Sequence, residues 1–165
     1  MRIVREILNL HSVAGRPSFH KITDEVQAIV EKNNIQNGIC VVYSKHTTCS
    51  VITQEYSHDI TYADLEFIQQ DFVDVLEKII PTCVKEGQYM HPGPLLIEYA
   101  KTIDEAKWQC LNTDGHLRSA LVGRSVNFGI ADGKIDMGRF GQIYFIDFDQ
   151  THARERQVTI QIVGE

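Results

Sequence analysis

Residues 125–163 read SVNFGIADGKIDMGRFGQIYFIDFDQTHARERQVTIQIV, and their rhythm decides the fold class. Val126, Phe128 and Ile130 alternate with Ser125, Asn127 and Gly129. A period of two turns one set of side chains onto a single sheet face. Asp132-Gly133 is a hairpin signal, because both residues tolerate the positive φ of the tight turns that match strand twist. Ile143–Phe148 is a further apolar strand, and Val158, Ile160 and Ile162 alternate with Thr159 and Gln161 in the last one.

Working back toward the N-terminus, the period changes. Asp114 reads as the N-cap of a short helix, Gly115–Val122, closed by Gly123. Residues 82–111 are the least regular part. His91-Pro92-Gly93-Pro94 forces a loop, and Leu95–Trp108 leaves room for one more helix. The clearest helix spans about Tyr62 to Ile80, with Leu65, Ile68, Phe72, Leu76 and Ile79 as its buried stripe and Pro81 as its stop. Before it come two β-rich runs, Ile39–Tyr43 and Thr47–Thr53. A first helix carries Thr23 as N-cap, Asp24 and Glu25 in its first turn, Val26, Ile29 and Val30 on one face, and Asn33-Asn34 at its end. Residues 1–10 have strand-like content, followed by the breaker Gly15-Arg16-Pro17. Strands, then helices, then hairpin-linked strands spell an α+β domain with a mainly antiparallel sheet.

The 165 residues fit one domain. Sixteen Lys and Arg against 22 Asp and Glu leave a net charge of −6. That balance argues against nucleic acid or an acidic membrane as partner, since both need a basic face. No apolar run approaches the roughly 20 residues of a membrane span, and MRIVREILNL lacks the uninterrupted apolar core of a signal peptide. Cys40, Cys49, Cys83 and Cys110 form no CxxC pair, so they are read as free thiols in a reducing cytoplasm.

Seven histidines stand out in so short and acidic a chain. His46-Thr47-Thr48 follows the Ile39–Tyr43 strand and sets an imidazole beside two hydroxyls. Glu55 lies nine residues on, an odd spacing that turns it away from His46 unless a turn or bulge intervenes, and His58 follows. His91 sits in the proline-glycine loop. His116 follows Asp114-Gly115 at a helix start, where free N–H groups form an anion site and Gly115 admits a ligand to the backbone. Arg118, Arg124, Arg139, Arg154 and Arg156 are available to neutralise a phosphorylated ligand. On these residues alone, solvated histidines and surface arginines explain the positions as well as ligand contacts do.

The order HTTCSVITQE (46–55), YMHPG (89–93), DGHLRSALVGRS (114–125), DGKIDMG (132–138) and a closing VGE (163–165) resembles the YjbQ family, described as secondary thiamine-phosphate synthase-like. The resemblance covers about 1–81 and 112–165 and implies an insertion, loop or helix, at about 92–111. It implies a two-layer α/β sandwich, a homotrimer, and a subunit-interface pocket lined by His46, Glu55, His91 and His116, with Thr47 and Thr48 beside them. The family's activity implies weak formation of thiamine phosphate from a pyrimidine pyrophosphate and a thiazole phosphate. The chain departs from the pattern at His58, where relatives carry an acid, at Gly138-Arg139-Phe140-Gly141, and at Asp149-Gln150-Thr151-His152.

Two functions follow as expectations. In the first, an enzyme, His46, His58, His91 and His116 hold a divalent metal, zinc on ligand type. Thr47, Thr48, Gly115 and Arg118 then bind a phosphate, and Glu55, His46 and His116 carry the catalysis. In the second, a trimer holds a small phosphorylated metabolite or a metal without turnover.

Overall fold

A computed structural model describes residues Met1–Glu165. Eight strands and four α-helices follow in the order β1 (Arg2–His11), β2 (Ser18–Lys21), α1 (Thr23–Lys32), β3 (Gly38–Ser44), β4 (Cys49–Glu55), α2 (Phe67–Ile79), α3 (Pro94–Thr102), α4 (Thr113–Val122), β5 (Ser125–Ala131), β6 (Lys134–Asp136), β7 (Gly141–Asp147) and β8 (Glu155–Gly164). A single 3-10 turn, Lys107–Cys110, precedes α4.

The chain forms the α+β sandwich that the period change foretells, with its antiparallel strands divided between two sheets. One has the order β1-β8-β3-β5-β6 and the other β2-β7-β4. They share the main core. Cys40 and Val42 of β3, Phe128 and Ile130 of β5 and Val158, Ile160 and Ile162 of β8 meet Val51 of β4 and Ile143 and Phe145 of β7 there. Helix α1 adds Val26, Ile29 and Val30 to the same core. Its Gln27 locks the β5–β6 hairpin, donating to the Gly133 carbonyl at 2.9 Å and accepting from the Ile135 N–H at 3.1 Å.

Strand β7 explains why its sequence is an unbroken apolar run. Ile143 and Phe145 point into the shared core, while Ile146, together with Phe148 just beyond the strand, packs with Leu76 of α2. A strand covered on both faces has no polar side to alternate with.

Three boundaries differ from the sequence reading. Helix α1 starts at Thr23, whose hydroxyl accepts the Ile143 N–H at 2.9 Å and so ties the helix to β7 rather than capping it. Helix α2 starts at Phe67, because Thr61–Leu65 is a turn with Asp64 at φ 61° and an isolated bridge joins Ile60 to Glu66. Its buried face is Gln69 and Leu76, with Phe72 partly covered. Ile68 and Ile79 of the expected stripe face outward, Ile79 being 62% exposed. Helix α4 starts at Thr113 with Asn112 at its N-cap position, so Asp114 lies inside the first turn, and Gly123 ends it at φ 93°. Strand β2 has only four residues, too few for a period to show.

The segment 92–111 holds a helix, α3, and then the 3-10 turn. It lies against the β7–β8 connection, where Trp108 meets His152 edge-on with ring centroids 5.7 Å apart.

Candidate functional site

Four pieces of backbone converge beyond the Asp147 end of β7. The β3–β4 loop brings Lys45, His46, Thr47 and Thr48. The approach to β8 and its start bring Arg154 and Arg156, the N-terminal end of α4 brings Asn112 and His116, and the 92–111 segment brings Glu105. With Asp149 they line a cavity of about 350 Å³ that has no hydrophobic residue in its wall.

Its floor is a charge network. Asp147 is fully buried and accepts from Arg156 Nε at 2.7 Å, from the Thr48 hydroxyl at 3.2 Å and from the Asp149 N–H at 3.0 Å. Asp149, also buried, accepts from Asn112 Nδ2 at 3.0 Å and from the Thr151 hydroxyl at 2.6 Å, and stands 3.0 Å from Arg154 Nε as an ion pair without a hydrogen bond. Burial works to raise the Asp149 pKa, but the hydrogen bonds from Thr151 and Asn112 and the charge of Arg154 outweigh it. The group stays below the ordinary carboxylate value.

Above this floor stand neutral imidazoles. His46 Nε2 accepts the Gln157 N–H at 3.1 Å, which puts its proton on Nδ1. Burial, reinforced by the Arg156 charge, lowers its pKa. His116 is lowered by burial and then by His91, while its bond to the Thr47 carbonyl pulls the other way. His91 and His116 meet edge-on at 5.3 Å between centroids. The Thr113 hydroxyl donates to the His91 carbonyl at 2.7 Å, so it accepts from His91 Nδ1 at 3.0 Å and fixes the orientation of that ring. Unprotonated nitrogens beside fixed cations can take a proton from a bound anion's hydroxyl or water.

The structure brings together His46, Thr47, Thr48 and His116, with His91 adjoining through His116. It does not bring the other expected residues. Glu55 ends β4 opposite Gly141, six residues beyond Cys49 and so about 20 Å along the strand from the site. His58 is exposed and packs edge-on against Tyr56 at 4.8 Å. No group of three or more His, Cys, Asp or Glu side chains is arranged to hold a metal ion, so the four-histidine set does not assemble within one chain.

Arg118 and Gly115 have other work. Arg118 is fully buried away from the cavity. Its Nη2 donates to Glu77 at 2.7 Å and to the Ile80 carbonyl at 2.8 Å, and its Nε reaches the same carbonyl at 3.1 Å. It fastens α4 to the end of α2. A Cβ on Gly115 would stand 3.2 Å from the carbonyl carbon and oxygen of Phe148, so glycine permits the helix to approach the β7 strand end, not a ligand. Asp114 itself is buried in the first turn of the helix, 3.9 Å from Arg118 Nη1, and burial raises its pKa.

Sequence reasoning missed Lys45, Glu105, Asn112 and Asp147, met Asp149 only as part of a departure from the family pattern, and left His152 without a role. Asp147 and Asp149 flank Phe148 at the end of an apolar strand, and two acids ending such a run were the available signal.

A two-sheet α+β sandwich with a polar, histidine-bearing cavity at one strand end is the class that fold and site define. The chain belongs to the YjbQ/UPF0047 family: the family model described as UPF0047 protein YjbQ-like matches residues 8–165. A UPF0047 protein of Methanothermobacter thermautotrophicus is 26% identical over 144 residues, covering 87% of this chain and 81% of that one. UPF0047 protein YugU of Bacillus subtilis is 24% identical, covering 87% of each. A crystal structure from Sulfolobus solfataricus, described as a YbjQ-like protein of unknown function, superposes with a TM-score of 0.70 at 22% identity, covering 99% of this chain and all of the other.

Proposed function

We propose that the cavity at His46 and His116 binds a compact phosphorylated metabolite. The observation that carries this reading is the wall itself: ten polar residues, none hydrophobic, with Lys45, Arg154 and Arg156 supplying positive charge. Arginine forks suit phosphoryl oxygens. Condensation of a pyrimidine pyrophosphate with a thiazole phosphate is the reaction that the family resemblance suggests. In it the thiazole nitrogen bonds to the pyrimidine methylene carbon as that carbon's bond to pyrophosphate breaks, no proton is lost from the reacting atoms, and the arginines hold the phosphoryl groups and the departing pyrophosphate. Non-catalytic holding of the same ligand is the alternative. Calorimetric titration with inorganic pyrophosphate tests the binding: wild type binds, and Arg154→Ala binds at least tenfold more weakly. No heat from wild type sinks the reading.

A metal reading has one observation in its favour, the two imidazoles of His91 and His116 in contact. Zinc there has only two histidine nitrogens from this chain, short of the four donors of a structural site and the three of a catalytic one. Elemental analysis of untagged protein decides it: stoichiometric zinc, lost in His116→Ala, favours the metal.

We also propose a homotrimer. The outer face of the five-stranded sheet leaves Ile3, Ile7 and Ile39 uncovered, at 75%, 44% and 59% exposure. Because Glu55 lies far from His46 in its own chain, any part it plays at the site is across a subunit boundary. Sedimentation equilibrium at three times the chain mass supports the assembly, and a monomer excludes it.

A further inference from the structure

We propose that Glu105 is a stand-in for the ligand's anionic group, and that it tunes the site to phosphoryl groups over carboxylates. This inference rests on the anion-binding reading above. Glu105 Oε1 lies 3.1 Å from Arg154 Nη2 inside the cavity wall, with both side chains about three-quarters covered. Lys45 lines the same cavity with no ion-pair partner, and Arg154 is the arginine whose terminal nitrogen is least committed to the floor. Arg156 is already paired with buried Asp147 at 2.7 Å, whereas the Nη2 of Arg154 is occupied only by Glu105.

The charge count makes the exchange selective. Lys45, Arg154 and Arg156 meet Asp147, Asp149 and Glu105, and these charges cancel. Withdrawal of Glu105 leaves one positive charge in excess. A ligand carboxylate that displaces Glu105 replaces like with like and gains nothing to offset opening the segment. A phosphoryl group brings a charge of about −1.5 to −2 and three acceptor oxygens, so it gains where a carboxylate does not.

The segment that carries Glu105 is held lightly enough to move. Residues 101–104 and 106–108 are exposed. Lys107 pairs with Glu86 at 2.7 Å, but both side chains are more than half exposed, where such pairs contribute little. On the inner side, Gln109 Nε2 donates to His152 Nε2 at 3.3 Å and Trp108 rests on the same ring. Trp108 is the only tryptophan of the chain, so its emission reports this segment alone.

Calorimetric titration with inorganic phosphate and with acetate, on wild type and Glu105→Gln, tests the exchange, with Trp108 emission followed in parallel. Wild type is expected to bind phosphate and not acetate, with a change in Trp108 emission. Glu105→Gln is expected to bind phosphate about three- to tenfold more tightly and to acquire acetate binding, because the competing charge is gone. Equal phosphate affinity in the two proteins, or saturation of wild type without a change at Trp108, overturns the exchange while leaving the anion site standing. Absence of phosphate binding in both proteins overturns the anion site and this inference with it.

Discussion

Replacing Arg118 by methionine separates an architectural role from a ligand-binding one. Methionine keeps most of the apolar stem and removes every donor. The guanidinium supplies two hydrogen bonds to the Ile80 carbonyl, one to Thr82 at 3.2 Å and an ion pair with Glu77 at 2.7 Å, and it lies 3.9 Å from buried Asp114. Removing one member of a buried charge pair typically costs about 3–5 kcal/mol. The Glu77 side chain is 47% exposed and the Asp114 separation is long, which places the loss at the lower end, about 3 kcal/mol. For a chain of this length that corresponds to a fall in Tm of about 6–12 °C. Urea unfolding followed by circular dichroism measures the first quantity and a thermal scan the second. Phosphate affinity, measured well below the transition, should stay within about twofold of wild type, because Arg118 does not line the cavity. A variant as stable as wild type that has lost phosphate binding would refute the assignment and return Arg118 to the ligand.

The remaining predictions concern packing and pH. Gly115→Ala sets a Cβ 3.2 Å from backbone atoms of Phe148, which cannot swing aside, and overpacking of this kind should cost about 1–2 kcal/mol in urea unfolding. His46, His116 and His152 have pKa values held below the ordinary 6.5, chiefly by burial. In that range the unfolded chain binds more protons than the folded one, so their contribution is complete above 6.5 and is lost as pH falls through the folded values. The urea midpoint should therefore decline from pH 7.5 to pH 5.5, and a flat midpoint would contradict the neutral imidazoles.

Most of the fold was legible because it is written in periods. The alternation in Ser125–Ile130 and Val158–Ile162 and the Asp132-Gly133 turn place three of the five strands of the large sheet. What escaped was set by tertiary packing. The Leu65–Ile79 stripe satisfies helical spacing, yet only a narrow part of α2 meets the small sheet, at Leu76 with Ile146 and Phe148. Spacing says which residues share a face and not how wide the facing surface is. The site divides in the same way. His46 and His116 were visible as imidazoles beside hydroxyls and a helix start. Arg118 and Gly115 look identical in sequence whether they serve a ligand or a neighbouring element. Asp147 and Asp149 matter only because β7 delivers them beneath Arg154 and Arg156, a juxtaposition that spans the β7–β8 connection.

Histidine-selective NMR during a titration with inorganic phosphate tests the central claim most directly, since the seven histidines are distributed over the whole molecule. The account predicts saturable shifts of the His46 and His116 ring signals, with His11, His20 and His58 unmoved. Unmoved His46 and His116 signals, or a response centred on His58, would contradict it.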